Sequence, residues 1–169
     1  MIEHILNNGG VAVMPTDTIL GVVGSAVKRK TVERIYRLRK RSPKKPFIVL
    51  ISSPRDIVKF GIRPDARVRA FLNQVWPGPI SIIFPCPSLK FQYLHRGTKT
   101  LAFRVPKSTT LCILLKKTGP LVAPSANVEG QPPARTVGEA MRYFGDTVDV
   151  YASGKPKRGT PSLLVEIKR

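Results

Sequence analysis

The sequence predicts an α/β (α+β) fold in a single domain spanning residues 1–169, and three observations predict it. The 169 residues suit one compact domain better than two. A hydrophobic fraction of 42% is enough to form a core, which excludes a disordered basic chain. Short apolar runs alternate with segments of helical periodicity, and this alternation is typical of a mixed β-sheet flanked by helices.

Eight apolar runs are predicted to be strands because each is short, apolar and bounded by turn residues. They cover residues 11–14, 20–24, 47–51, 80–84, 100–105, 121–123, 148–151 and 162–167. The sixteen prolines cluster at the ends of these runs, so we expect them to lie in loops.

Four segments have apolar residues at helical spacing, and we predict helices over residues 31–41, 65–75, 109–117 and 136–144. Pro64-Asp65 opens the second helix, which ends before Trp76-Pro77-Gly78. Ser108 is a suitable cap for the third helix, which Gly119-Pro120 ends.

The net charge of +19, from 29 bases and 10 acids, indicates an anionic partner. Nucleic acid or polyphosphate fits better than a membrane, because no basic amphipathic anchor is visible. A membrane span is not expected either, because the most apolar stretch, residues 9–27, is interrupted by polar residues. No basic start followed by an apolar run is visible, so we expect a cytoplasmic protein. Cys86 and Cys112 lie far apart and form no metal-ligand pair, so we expect both to be reduced.

Polar residues follow several of the predicted strands, where α/β folds place their sites. The turn Pro15-Thr16-Asp17-Thr18 could bind a small polar ligand or a hydrated cation. Taken alone, it fits better an ordinary turn whose side chains bond their own backbone. Trp76-Pro77-Gly78-Pro79 is best interpreted as a structural corner with Trp76 in the core.

A basic block covers residues 28–45, with ten bases and a single acid, Glu33. Arg37 and Arg41 form a repulsive i,i+4 pair, which suggests a nearby anion. Arg39 and Arg41 could hold phosphate oxygens with their guanidinium groups. The alternative is that these cations only interact with the carboxyl end of a helix.

Two further positions could bind ligands at strand ends. Arg104 emerges from an apolar strand, and such an arginine has a carboxylate or phosphate partner that is either internal or bound. Ser125 and Asn127 could contact an adenine or a phosphate, or they could cap the next turn.

In sequence order, these motifs resemble the YrdC family of threonylcarbamoyl-AMP synthases over residues 9–166. The resemblance rests on residues 9–18, Arg39-x-Arg41, Trp76-Pro77-Gly78-Pro79, Arg104-Val105-Pro106, Pro124-Ser125-Ala126-Asn127 and Gly159-Thr160-Pro161-Ser162. It implies a twisted mixed sheet with a basic concave face. It also implies the synthesis of threonylcarbamoyl-adenylate and pyrophosphate from L-threonine, bicarbonate and ATP. A downstream threonylcarbamoyl-transferase complex would then modify tRNA.

The resemblance also implies roles for individual residues. Those implied for threonine binding are Thr16, Arg104, Ser125 and Ser162. Those implied for ATP binding are Arg39, Arg41, Asn127 and Thr136. Mg²⁺ is expected with ATP, no protein side chain is expected to bind a metal, and no general acid or base is assigned.

Four residues depart from the family pattern. Leu20 stands where tyrosine is common, Leu50 where some members have histidine, and Leu163 where threonine is frequent. Arg39 replaces the usual lysine, which keeps the charge but changes the donor geometry. The departures concern the threonine pocket more than ATP binding.

The remaining bases of the block point to RNA. Lys28, Arg29, Lys30, Arg34 and Arg37 exceed what one nucleotide needs, and we expect them to contact the phosphates of tRNA or double-stranded RNA. Two alternative functions remain open, a non-enzymatic YrdC-like RNA-binding protein in tRNA or rRNA maturation, and an enzyme that forms carbamoyl-adenylate.

Overall fold

The computed structural model describes residues 1–154 and 162–167. Within them lie strands β1 (Val11–Pro15), β2 (Leu20–Ser25), β3 (Val49–Leu50), β4 (Ile80–Pro85), β5 (Thr100–Arg104), β6 (Leu121–Val122), β7 (Val150–Tyr151) and β8 (Leu163–Glu166). All belong to one sheet, in the order β7-β1-β2-β6-β3-β5-β4-β8. The predicted α/β fold is confirmed. The strand predicted over residues 47–51 is shorter, because its pairing with β5 and β6 covers only Val49 and Leu50.

The sheet is mixed. Pairs β1–β2, β2–β6, β6–β3 and β5–β4 are antiparallel. Pairs β1–β7, β3–β5 and β4–β8 are parallel. Strands from both ends of the chain therefore lie in the same sheet, with β7 and β8 at its two edges.

The α-helices of the described residues are α1 (Ile2–Asn7), α2 (Arg29–Leu38), α3 (Ala66–Val75), α4 (Gln92–His95), α5 (Thr109–Thr118) and α6 (Val137–Phe144). The Ser108 hydroxyl accepts a hydrogen bond from the Leu111 amide at 3.3 Å and caps α5, as predicted. Helix α2 begins two residues earlier and ends three earlier than predicted. It ends where Lys40 takes a left-handed conformation with φ of 46°.

Sequence analysis missed α1, α4 and the 3₁₀ turns Pro54–Phe60, Leu89–Phe91 and Gly145–Thr147. Most of these segments are too short for a helical period to be recognised. The 3₁₀ turn Pro54–Phe60 begins with a capping box, in which the side chains of Ser53 and Asp56 bond each other's backbone amide.

Alternating side chains of the strands form two cores, one on each face of the sheet. Val11 and Val13 pack in the larger core with α2, α3 and α6, whereas Ala12 packs in the smaller one with α1 and α5. The alternation fixes which face each strand-end residue occupies. No helix within the described ranges is long and apolar enough to cross a membrane.

We expect Phe103→Ala to lower the free energy of unfolding by about 3–5 kcal/mol, the usual loss for a buried aromatic ring. Phe103 is fully buried in β5, and its ring lies 5.0 Å from the ring of Phe60. Urea unfolding followed by circular dichroism measures the change. Leu89→Ala is the control, because Leu89 is 79% exposed and should change stability by no more than about 0.5 kcal/mol. A loss below about 1 kcal/mol for the Phe103 variant would contradict this packing.

Candidate functional site

Two arginines are buried at the edges of polar loops, Arg39 after α2 and Arg104 at the end of β5. Arg39 is 3% exposed and Arg104 is 4% exposed. Removing a guanidinium from water is costly unless oxygen acceptors surround it. The contacts of these two side chains therefore show how the loops are arranged.

Arg104 is paired with Asp17. Its Nη1 lies 2.6 Å from both carboxylate oxygens, and each of the two side chains is 5% exposed. Asp17 also accepts a hydrogen bond from the Lys107 amide at 3.0 Å. Within the described residues, the Nε of Arg104 is buried without a hydrogen-bond partner. Part of this guanidinium is thus left without a protein acceptor.

Thr16 organises the turn that carries Asp17. Its hydroxyl donates to the Ile19 carbonyl at 2.6 Å and accepts from the amides of Thr18 and Ile19. The side chain therefore bonds its own turn, which is the local interpretation that the sequence favoured for this motif. Asp17 was not among the predicted site residues, although it is the counter-ion of Arg104.

Arg39 binds the loop that contains Ser125 and Asn127. Its Nε donates to the Asn127 carbonyl at 3.0 Å, and its Nη2 donates to Asn127 Oδ1 at 2.9 Å and Ser125 Oγ at 3.1 Å. Ser125 Oγ in turn donates to Asn127 Oδ1 at 2.6 Å. The structure brings these three predicted residues together.

The charge of Arg39 is poorly compensated, because these acceptors are neutral oxygens. Burial and then the neighbouring Arg41 lower the pKa of the Arg39 guanidinium to about 10. Its Nη1 is buried and has no partner within residues 1–154 and 162–167. An anionic ligand would relieve both conditions.

The two loops meet at β2. The Val22 amide donates to the Pro124 carbonyl at 2.8 Å, and the Ala126 amide donates to the Leu20 carbonyl at 2.9 Å. A Cβ placed on Gly21 would lie 3.2 Å from Thr16 Cγ2 and 3.3 Å from the Pro124 carbonyl oxygen. Gly21 therefore lies between the Thr16 turn and the Ser125 loop, and a side chain there would force the two apart.

The sequence profile of the Sua5/YciO/YrdC family, described as telomere recombination, matches residues 4–169. The chain belongs to the Sua5/YciO/YrdC family.

Several curated relatives of this chain are named threonylcarbamoyl-AMP synthase. One from Nitrosococcus oceani is 32% identical over 95% of this chain and 88% of its own length. Another, from Cellvibrio japonicus, is 30% identical over 97% of this chain and 88% of its own length.

A solved structure agrees with the fold. The crystal structure of P. abyssi Sua5 complexed with L-threonine matches 98% of this chain, with a TM-score of 0.89 and 23% sequence identity. The match covers 49% of that protein, so the chain spans about half the length of the P. abyssi protein.

Glu129 is a second residue that sequence analysis of this Sua5/YciO/YrdC chain missed. Its carboxylate accepts from the Ser42 amide at 2.6 Å and from Lys45 Nζ at 2.8 Å, and its amide donates to the Arg39 carbonyl at 2.8 Å. The hydrogen bond from Lys45 holds the pKa of the Glu129 carboxyl below its usual value. Arg41 belongs to the loop of Ser42 and Lys45, and its Nε donates to the Lys45 carbonyl at 3.2 Å.

Two predicted site residues have no described contact with these clusters. Thr136 is exposed and caps α6, where its hydroxyl accepts from the Glu139 amide at 3.1 Å. Ser162 Oγ lies 2.9 Å from Ser81 Oγ beside β4. The other members of its motif, Gly159, Thr160 and Pro161, fall outside the described residues.

The family departures occupy different environments. Leu20 and Leu50 are buried in the core, whereas Leu163 is 64% exposed on β8. No group of three or more His, Cys, Asp or Glu side chains that could hold a metal occurs in the described parts of the chain.

We expect Arg39→Lys, which restores the usual family residue, to lower the free energy of unfolding by about 1–3 kcal/mol. A single ammonium group cannot replace hydrogen bonds that arise from two separate nitrogens. Urea unfolding measures the loss. Arg41→Lys is the matched control. Arg41 is partly exposed and its Nε donates to the Lys45 carbonyl, so a loss of about 0.5 kcal/mol in the free energy of unfolding is expected. Equal losses in both variants would contradict the role of Arg39 in holding the Ser125 loop.

Proposed function

We propose that this protein is a threonylcarbamoyl-AMP synthase that converts L-threonine, bicarbonate and ATP into threonylcarbamoyl-adenylate and pyrophosphate. The observation that carries the proposal is the 32% identity to a synthase of that name over 95% of this chain. The product would then modify tRNA through a downstream threonylcarbamoyl-transferase complex. We further propose one domain over residues 1–169, which the single sheet supports. We also propose a cytoplasmic location.

Arg104 fits the carboxylate of threonine. Guanidinium groups bind carboxylates through two parallel N–H groups, and the Nε of Arg104, which has no partner among the described residues, offers one of them. L-Threonine is also the ligand of the P. abyssi relative. We assign Thr16, Ser125 and Ser162 to the same ligand, as the family resemblance implies.

Arg39 fits a phosphate oxygen of ATP. Its guanidinium is buried and surrounded by neutral acceptors, and its Nη1 has no partner in the part of the chain that the structure describes, so a negative charge there would be strongly stabilised. We assign Arg41, Asn127 and Thr136 to ATP as well. Asp17 is bound to Arg104, so Mg²⁺ fits the phosphate oxygens of ATP better than this carboxylate.

The reaction requires charge stabilisation more than proton transfer. Bicarbonate and the threonine amine form a carbamate with loss of water. An oxygen of the carbamate then attacks the α-phosphate of ATP, and pyrophosphate leaves. Fixed cations stabilise the charge that accumulates on the transferring and leaving phosphates. Arg39 and Arg41 would supply these cations, and Arg104 would hold the threonine.

We expect pyrophosphate release by the purified protein to require ATP, bicarbonate and L-threonine together. A coupled pyrophosphate assay with each substrate omitted in turn measures this requirement. L-Serine in place of L-threonine tests how far the reaction depends on the side chain. Release without an amino acid would instead support carbamoyl-adenylate formation, and no release with all substrates would support a non-enzymatic RNA-binding protein.

We also propose that the protein contacts tRNA or double-stranded RNA through the basic surface of α2. Lys28, Arg29, Lys30 and Arg37 are exposed. Arg34 instead pairs with Asp149, with Nη1 2.6 Å from Oδ2, so its contribution to RNA binding would be smaller. A cleft of about 620 Å³ adjoins this surface and is lined in part by Arg29, Lys44 and Lys90.

We expect the triple variant Lys28→Glu, Arg29→Glu, Lys30→Glu to weaken tRNA binding and to flatten its dependence on salt. Each lost phosphate contact removes about 0.7–0.9 from the slope of log K against log salt. Filter binding at several salt concentrations measures the slope, and adenylate synthesis from free substrates should be unchanged.

The control variant makes the same change of charge on another exposed surface, Arg55→Glu, Arg63→Glu, Arg67→Glu. This control should keep the wild-type slope if α2 makes the contacts. An equal loss in both variants would mean that only the net charge matters.

A further inference from the structure

We propose that Asp17 is a positioning residue that directs one edge of the Arg104 guanidinium toward the carboxylate of threonine. The inference rests on the proposed function and deepens it. The family resemblance assigned no role to Asp17, and the sequence named it only as part of a turn that could bind a small polar ligand or a hydrated cation. It is nevertheless the counter-ion of Arg104 in a pair whose side chains are each 5% exposed.

The proposal follows from which nitrogens Asp17 occupies. A guanidinium has five N–H groups, two on each Nη and one on Nε. Both oxygens of Asp17 lie 2.6 Å from Nη1, so the carboxylate is bound at that nitrogen alone. The N–H of Nε runs parallel to one N–H of Nη2, and this fork matches the two oxygens of a carboxylate. In the described residues, Nε has no acceptor.

Asp17 is itself held in place. Its Oδ2 accepts from the Lys107 amide at 3.0 Å, and the neighbouring Thr16 hydroxyl closes the turn by donating to the Ile19 carbonyl at 2.6 Å. The position of the Asp17 carboxylate is therefore set by the Lys107 amide and by the closed turn that carries it. Arg104 must orient Nη1 toward it, which leaves the Nε–Nη2 edge for a ligand.

Arg39 shows the opposite arrangement. Its Nε and Nη2 are bound by Asn127 and Ser125, and its buried Nη1 has no described acceptor. Arg39 thus offers one nitrogen, suited to a single phosphate oxygen, whereas Arg104 offers a two-pronged edge. Because Asp17 occupies Nη1, the edge that Arg104 offers to a ligand is the one that matches a carboxylate.

The test is Asp17→Asn, which keeps the size of the side chain and removes its charge. An amide replaces one of the two carboxylate oxygens that face Arg104 Nη1 by an NH₂ donor, so it loses one acceptor and the negative charge that fix this nitrogen. Calorimetry should show threonine binding weakened roughly 10- to 100-fold, the effect of losing a charged hydrogen bond. ATP affinity should change less than about 2-fold, and the KM for threonine should rise more than the KM for ATP.

The matched control is Asp149→Asn. Asp149 also binds one guanidinium, that of Arg34, and accepts from one backbone amide, that of Val11 at 2.7 Å. Its loss should leave threonine affinity unchanged, because Arg34 has no role in the proposed threonine site.

A double-mutant cycle separates positioning from general structural support. In an Arg104→Gln background, Asp17→Asn should weaken threonine binding no further, because its effect passes through Arg104. Additive losses would overturn the proposal, as would equal losses of threonine and ATP affinity or an unchanged threonine affinity in Asp17→Asn.

If Asp17→Asn does not fold, Asp17→Glu decides the question. Its carboxylate is displaced by one methylene group, so threonine affinity should fall several-fold at unchanged ATP affinity. Wild-type threonine affinity in this variant would overturn the proposal. These outcomes are distinct from failure of the proposed function, in which the wild-type protein itself would show no threonine-dependent pyrophosphate release.

Discussion

A guanidinium can be buried only where oxygen atoms are fixed around it, and this constraint determines how the loops of the protein are arranged. Arg104 requires the Thr16 turn to place a carboxylate beside the end of β5. Arg39 requires the Ser125 loop to turn its carbonyl and amide oxygens toward the end of α2. The Ser125 loop is hydrogen-bonded to β2, and the Thr16 turn joins β1 to β2, so the sheet connects the two cations.

The ten acids of the chain are used mainly for structure. Six of them, including Asp17, Glu129 and Asp149, form ion pairs with lysine or arginine within the described residues. Asp65 and Glu139 instead accept backbone amides at the start of α3 and α6. Most of the 29 bases therefore have no acid to neutralise them, and the surplus is available to anions in solution.

The fold could largely be predicted from the sequence, because buried strands and amphipathic helices have distinct apolar periods. The same reasoning placed Arg39, Ser125 and Asn127 at strand or helix ends, and the structure brings them together. It could not identify Asp17 or Glu129 as partners of particular bases. Their partners lie more than eighty positions away, at Arg104 and Lys45, and only the folded sheet brings such distant positions into contact.

Glu129 also affects how the loops around Arg39 move. Glu129 bonds the Ser42 amide, the Lys45 ammonium and the Arg39 carbonyl. The loop after α2 and the loop that carries Glu129 therefore cannot move apart without breaking all of these hydrogen bonds. Segments joined in this way open together as one cooperative unit. The amides of Ser42 and Glu129 should accordingly exchange their hydrogens with solvent through a shared opening event, although the two residues are 87 positions apart in the chain.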